Sequence, residues 1–111
     1  MPAGLEAASM YRASDEVQNE EWLTDLRRAA ESLELSGEAR SNATDLFLSH
    51  VPDADRSKPA TAAAALYAGA LIAGDERSQT DVADAMDVTR LSVQQRWKEL
   101  LRDAGFSPPT W

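Results

Sequence analysis

Hydrophobic positions along this chain recur three and four residues apart, and no stretch alternates with period two. Trp22, Leu23, Leu26, Ala30 and Leu33 follow helical spacing and predict a first helix from about Glu20 to Glu34. Ser36-Gly37 punctuates the chain, and Ala39, Ala43, Leu46, Phe47 and Val51 line one side of a second helix from about Gly37 to His50. Pro52 and the acidic run Asp53-Ala54-Asp55 end it. A third helix starts after Ser57 or Lys58, with Pro59 in the first turn, where a missing N–H costs nothing. From Ala60 to Ala73 it is interrupted only by Thr61 and Gly69, and Gly74 can cap it. A helix without a polar face must be surrounded, so this is the central one, with alanines and Gly69 letting neighbours come close. A short fourth helix spans about Gln79 to Met86 behind an N-capping Ser78. The fifth spans about Arg90 to Ala104, capped by Thr89 and stopped by Gly105. With Val and Ile sparse, the chain reads as all-α.

The expected organisation is a mobile N-terminal arm over 1–18, one helical domain over 19–105, and a C-terminal tail over 106–111 in which Trp111 folds back. Within the domain, Trp22, Phe47, Tyr67 and Trp97 are expected in the core rather than as a platform for stacking bases.

Charge sharpens this picture. The chain has 19 acidic and 11 basic residues, nine of the latter Arg, and 20 alanines. Such an acidic, Lys-poor composition fits a protein of a salt-loving organism, where salt screens self-repulsion; an ordinary acidic protein that avoids nucleic acid has the same signature. Residues 1–76 hold 14 acidic and 6 basic side chains, whereas 77–111 hold 5 of each. Thr89–Arg102 holds four basic residues and one acidic, so the one locally positive element is the fifth helix.

The candidate chemistry is narrow. With no Cys there is neither a disulfide framework nor a thiolate metal site. The single His50 sits near a helix end, where capping fits it better than catalysis. No glycine-rich phosphate loop or metal-ligand spacing appears, so neither an enzyme nor a cofactor is expected. The longest apolar run falls short of the roughly 20 residues that cross a bilayer, and no basic-then-apolar leader opens the chain. A cytoplasmic protein without a membrane partner is expected.

The last two helices, SQTDVADAMDVTRLSVQQRWKEL, meet the conditions for a helix-turn-helix. Val82, Ala83 and Met86 give the first an apolar side. At about 100° per residue, Val93, Trp97, Leu100 and Leu101 share one arc of the second, and Leu91, Gln94, Gln95, Lys98 and Arg102 share the other. Gln can pair with adenine, Lys and Arg with guanine or phosphate, and an exposed Leu with a thymine methyl. An amphipathic last helix of any bundle would also show such a stripe, and basic residues near its C-terminus answer the helix dipole.

Arg77 to Leu100 resembles the helix-turn-helix of the second cyclin-like repeat of archaeal transcription factor B, the relative of eukaryotic transcription initiation factor IIB. That family reads like R-T-Q-x-E-V-A-x-x-x-G-V-T-x-V-T-V-R-N-R-Y-K-E-L. Here Arg77, Gln79, Val82, Ala83, Val88, Thr89, Val93, Arg96, Lys98, Glu99 and Leu100 match it. Upstream, RSKPATAAAALYAGALIAG is similar to the family's central helix. The likeness covers about Trp22 to Gly105, is specific in the last 50 residues, and extends to short single-repeat forms from halophilic archaea.

The resemblance implies a single cyclin-like five-helix domain ending in a helix-turn-helix over 78–104. In full-length factors two such repeats clamp the TATA-binding protein on DNA, and the helix-turn-helix reads the element beside the TATA box. This chain departs from the pattern in several places. It has one repeat and no Cys for a zinc ribbon. The family's turn Gly is Asp87, and Val-Thr-Val-Arg becomes Leu91-Ser92-Val93-Gln94. Gln94 in place of Arg removes a bidentate guanine contact worth roughly 1–3 kcal/mol of discrimination.

Two functions follow as expectations. In the first, a transcription regulator contacts base edges with Leu91, Gln94, Gln95, Lys98 and Arg102 and phosphate with Arg90 and Ser92, as a homodimer if it needs a second half-site. In the second, a cyclin-fold module docks on the TATA-binding protein or another basal transcription protein without reading DNA.

Overall fold

A computed structural model describes residues 20–52 and 57–106. The arm expected over 1–18, the acidic run 53–55 and the tail beyond Phe106 lie outside the described residues. Five helices follow in order: α1 Glu20–Ser32, α2 Gly37–Ser49, α3 Lys58–Ile72, α4 Gln79–Met86 and α5 Arg90–Asp103. Among the described residues there is no strand, and no helix is long and apolar enough to cross a membrane.

The helix α3 is the axle. Every residue from Ala60 to Ala70 is buried, and α3 touches each of the other four helices. Its small side chains allow a close crossing: a Cβ built on Gly69 would lie 2.7 Å from the backbone nitrogen of Ala43 in α2. The Asn42 amide donates to the Gly69 carbonyl at 3.4 Å across this crossing. Toward α5, Tyr67 meets Trp97 edge to face, with ring centroids 5.0 Å apart and planes at 72°. Burial raises the pKa of the Tyr67 phenol, and a hydrogen bond from Gln79, at the start of α4, partly offsets this.

The other helices each bury one stripe. Leu23, Leu26, Ala29 and Ala30 face inward from α1, and Ala39, Ala43, Leu46 and Phe47 from α2. Of the expected core aromatics, Phe47, Tyr67 and Trp97 are buried, whereas Trp22 packs at the edge and stays partly exposed.

Capping sets the joints. Ser36, Ser78 and Thr89 are N-caps whose hydroxyls accept from the amides of Ala39, Asp81 and Ser92. Four chain reversals share one hydrogen-bond pattern, in which the residue after a left-handed position donates five residues back: Leu35 to Ala30, Asp75 to Ala70, Val88 to Ala83 and Phe106 to Leu101. The left-handed residues are Glu34, Gly74, Asp87 and Gly105. Gly74 and Gly105 were legible as helix stops. Glu34 was not: α1 ends at Ser32 rather than running on to Glu34, which adopts φ 57°.

A clamp from elsewhere in the chain explains that reversal. The Arg77 guanidinium donates through Nε to the Leu33 carbonyl at 3.0 Å and through Nη2 to the Glu34 carbonyl at 3.3 Å. It is held by Asp75, whose Oδ1 accepts from Nη1 at 2.8 Å and whose Oδ2 accepts from the Ser36 amide at 2.8 Å. The hydrogen bond from the Ser36 amide, then that from Arg77, holds the Asp75 carboxyl below its usual pKa. These bonds satisfy helix-end groups that would otherwise be orphaned, and they offset a left-handed Glu, a strain of about 1 kcal/mol or more.

Candidate nucleic-acid interface

The helix α5 is split along its length. Val93, Trp97, Leu100 and Leu101 are buried against the bundle, Val93 and Trp97 completely. On the opposite arc Leu91 is 62% exposed, more than Phe106, the other exposed large hydrophobic side chain among the described residues. Gln95 and Arg102 share that exposed arc, and Arg90 is exposed at the first turn. Gln94 and Lys98 stand on one flank, half-buried. The side chains expected on the outward arc therefore divide: Leu91, Gln95 and Arg102 are exposed, whereas Gln94 and Lys98 rise from the edge of the core.

Each candidate side chain is thereby given a distinct role. The Lys98 ammonium lies 5.6 Å from the Trp97 ring centroid, so its stem helps cover the indole while its charge stays at the surface. The Ser92 hydroxyl is 2.8 Å from Thr89 Oγ1 and its amide donates to the same oxygen at 3.2 Å, so Ser92 is engaged in the helix cap. Arg90, Gln94, Gln95 and Arg102 make no hydrogen bond or ion pair with other described residues, leaving their polar groups available to a ligand. Arg96, outside the expected set, stands half-buried on the other flank, with a sheltered Nε that has no hydrogen-bond partner. Its place in the motif was visible in the sequence; its sheltered environment was not.

The turn before α5 is tight because Asp87 takes φ 56° and ψ 44°, which lets Val88 donate back to Ala83 at 2.9 Å. Asp is among the non-glycine residues that tolerate this region. At the far end of α5, His50 connects it to α2. Its Nδ1 lies 2.9 Å from the Leu46 carbonyl and its Nε2 3.0 Å from Asp103 Oδ2. Both partners are acceptors, so both contacts are hydrogen bonds only when the imidazole carries two protons. His50 thus caps α2, as its position suggested, and also tethers the end of α5.

Electrostatics around the two helices differ. While α5 carries Arg90, Arg96, Lys98 and Arg102, the exposed side of α4 carries Asp81, Asp84 and the adjoining Asp87. Lys98 and Arg102 share the outward side of α5 and Arg96 stands on the other flank, beside an acidic brace.

Four helices around a buried central one, ending in a short helix, a left-handed turn and a longer half-exposed helix, define a cyclin-like domain ending in a helix-turn-helix. The family model described as "Transcription factor TFIIB repeat" matches residues 15–103. The chain belongs to the transcription factor TFIIB repeat family. It is 37% identical over 87 residues to a protein named transcription initiation factor IIB from Pyrobaculum neutrophilum, a match covering 76% of this chain and 26% of that protein. Against transcription initiation factor IIB 2 of Thermococcus kodakarensis it is 44% identical over 48 residues, 43% of this chain and 16% of that one. Its likeness to a transcription initiation factor IIB of Haloarcula vallismortis is 32% over 82 residues, 71% and 72% of the two chains. The chain spans about a quarter of the length of the Pyrobaculum relatives it matches.

Proposed function

We propose that this chain is a regulator of transcription of the initiation factor IIB type that binds DNA by laying the outward arc of α5 in the major groove. The observation that carries the reading is the division of α5: its apolar side is consumed by the core, Leu91, Gln95 and Arg102 are left facing outward, and Gln94 stands half-buried beside them. Gln94 and Gln95 suit adenine, Arg102 and Lys98 suit guanine or phosphate, and Arg90 near the helix start suits phosphate. Ser92 can still accept or donate at the backbone while it serves the cap. The acidic brace lowers non-specific affinity, because neutralised phosphates supply most of that term. Base readout therefore carries a larger share of binding here than in a basic reader, and a homodimer would add a second half-site.

The test is charge reversal. Lys98→Glu with Arg102→Glu should abolish binding to promoter fragments and reduce the slope of log affinity against log salt by about 2. Unchanged affinity in a folded double variant would remove the reading.

Asp81, Asp84 and Asp87 beside α5, with Gln94 in place of the family's Arg, favour a second reading: docking on the TATA-binding protein or another basal transcription protein without base contacts. Purification from native cells separates the two. Partner protein recovered after nuclease treatment, with no retained nucleic acid, supports the second.

A further inference from the structure

The geometry points to a docking trough between α1 and α4 for a basic amphipathic helix of another protein. A cavity of about 540 Å³ opens there, floored by Ala29, Pro59 and Met86 with the part-exposed Trp22 at its end. A second, of about 440 Å³, continues it along the same two helices and shares Ser32 and Ala85 with the first. The first has the small-residue floor and the indole end that accept the apolar face of a helix, and the second extends it with mostly polar and charged side chains.

Its charge says what kind of helix. Asp25 on the α1 wall and Asp87 at the end of α4 line the first cavity, and Asp81 and Asp84 line the second. The opposing cations are Arg28 and Arg77, and Arg77 is already committed to Asp75 at 2.8 Å. Carboxylates on both walls above an apolar floor complement a helix that alternates Leu- or aromatic-type anchors with Lys or Arg, and they repel an acidic one. The trough uses none of the outward residues of α5, so it does not depend on DNA reading and could be occupied while α5 is engaged.

The direct test uses a labelled amphipathic helix built of Leu and Lys, and its Leu and Glu counterpart with the same apolar face, titrated with the full chain. Anisotropy should report binding of the Lys helix only, and amide shifts should map to α1 and α4. Asp25→Lys with Asp84→Lys should weaken binding about tenfold or more, because two attractions become like-charge contacts. Glu38→Lys with Glu99→Lys, an equal charge change outside the trough, should leave it within about twofold. Trp22→Ala should weaken it and Trp22→Phe restore most of it, with circular dichroism checking the fold of each. Four results would overturn the proposal: no binding, equal loss from both charge pairs, shifts elsewhere, or contacts between residues 1–19 and the Trp22 indole filling the trough in the free chain.

Discussion

Helices α3 and α5 are nearly equal in length, 15 and 14 residues, and solve opposite problems. On α3 burial is continuous from Ala60 to Ala70, so its sequence is dictated by how closely the other helices approach. On α5 only four residues are buried, Ser92, Gln94, Arg96 and Lys98 are half-buried, and the outermost side chains are exposed. Family likeness along α3 therefore speaks about fold, whereas the departures at Leu91 and Gln94 fall where the proposed DNA contacts lie. A change of one methyl group should be felt on the first helix and ignored by the fold on the outer side of the second.

Four experiments press on that contrast. The largest effect is expected at the one place where α5 behaves like α3. Trp97→Ala removes a fully buried indole and its edge-to-face contact with Tyr67, and should destabilise the domain by about 3–5 kcal/mol in chemical denaturation. Gly69→Ala should follow at roughly 1–3 kcal/mol, because the added methyl meets the Ala43 backbone and not a movable side chain. A stable Gly69→Ala protein would mean that α2 and α3 are less tightly apposed than described.

The third concerns the joint ahead of the helix-turn-helix. Asp75 has a folded-state pKa below its ordinary 3.8, so its contribution is complete above that value and fades as pH falls through the lowered one. Asp75→Asn should remove this acid-side decline and lower stability at neutral pH, as read from midpoints of unfolding across pH. The smallest effect on stability is expected from Leu91→Ala with Gln95→Ala, within about 0.5 kcal/mol, although the same pair should reduce affinity for specific DNA.

Much of this architecture could be read directly from the sequence. Helical spacing located all five helices to within two residues at each end, because each has a clear apolar stripe or, for α3, none at all. Ser78, Thr89, Gly74 and Gly105 marked their joints through local chemistry, and the family pattern flagged Asp87. What escaped was long-range. The left-handed Glu34 depends on Arg77, 43 residues away, and the tether on α5 joins His50 to Asp103 across 53 residues. Neither has a periodic or local signature. The candidate interface was legible as a face, but the half-burial of Gln94 and Lys98 was not: a helical wheel gives direction and not the height of neighbouring helices.

The measurement closest to the central claim is an amide and side-chain shift map of the full chain titrated with promoter DNA. Changes concentrated at Leu91, Gln94, Gln95, Lys98 and Arg102, with the buried Val93 and Trp97 little disturbed, would match a helix divided between core and groove. A map centred on α1 and α2, or no change at DNA concentrations that saturate a factor IIB relative, would contradict it.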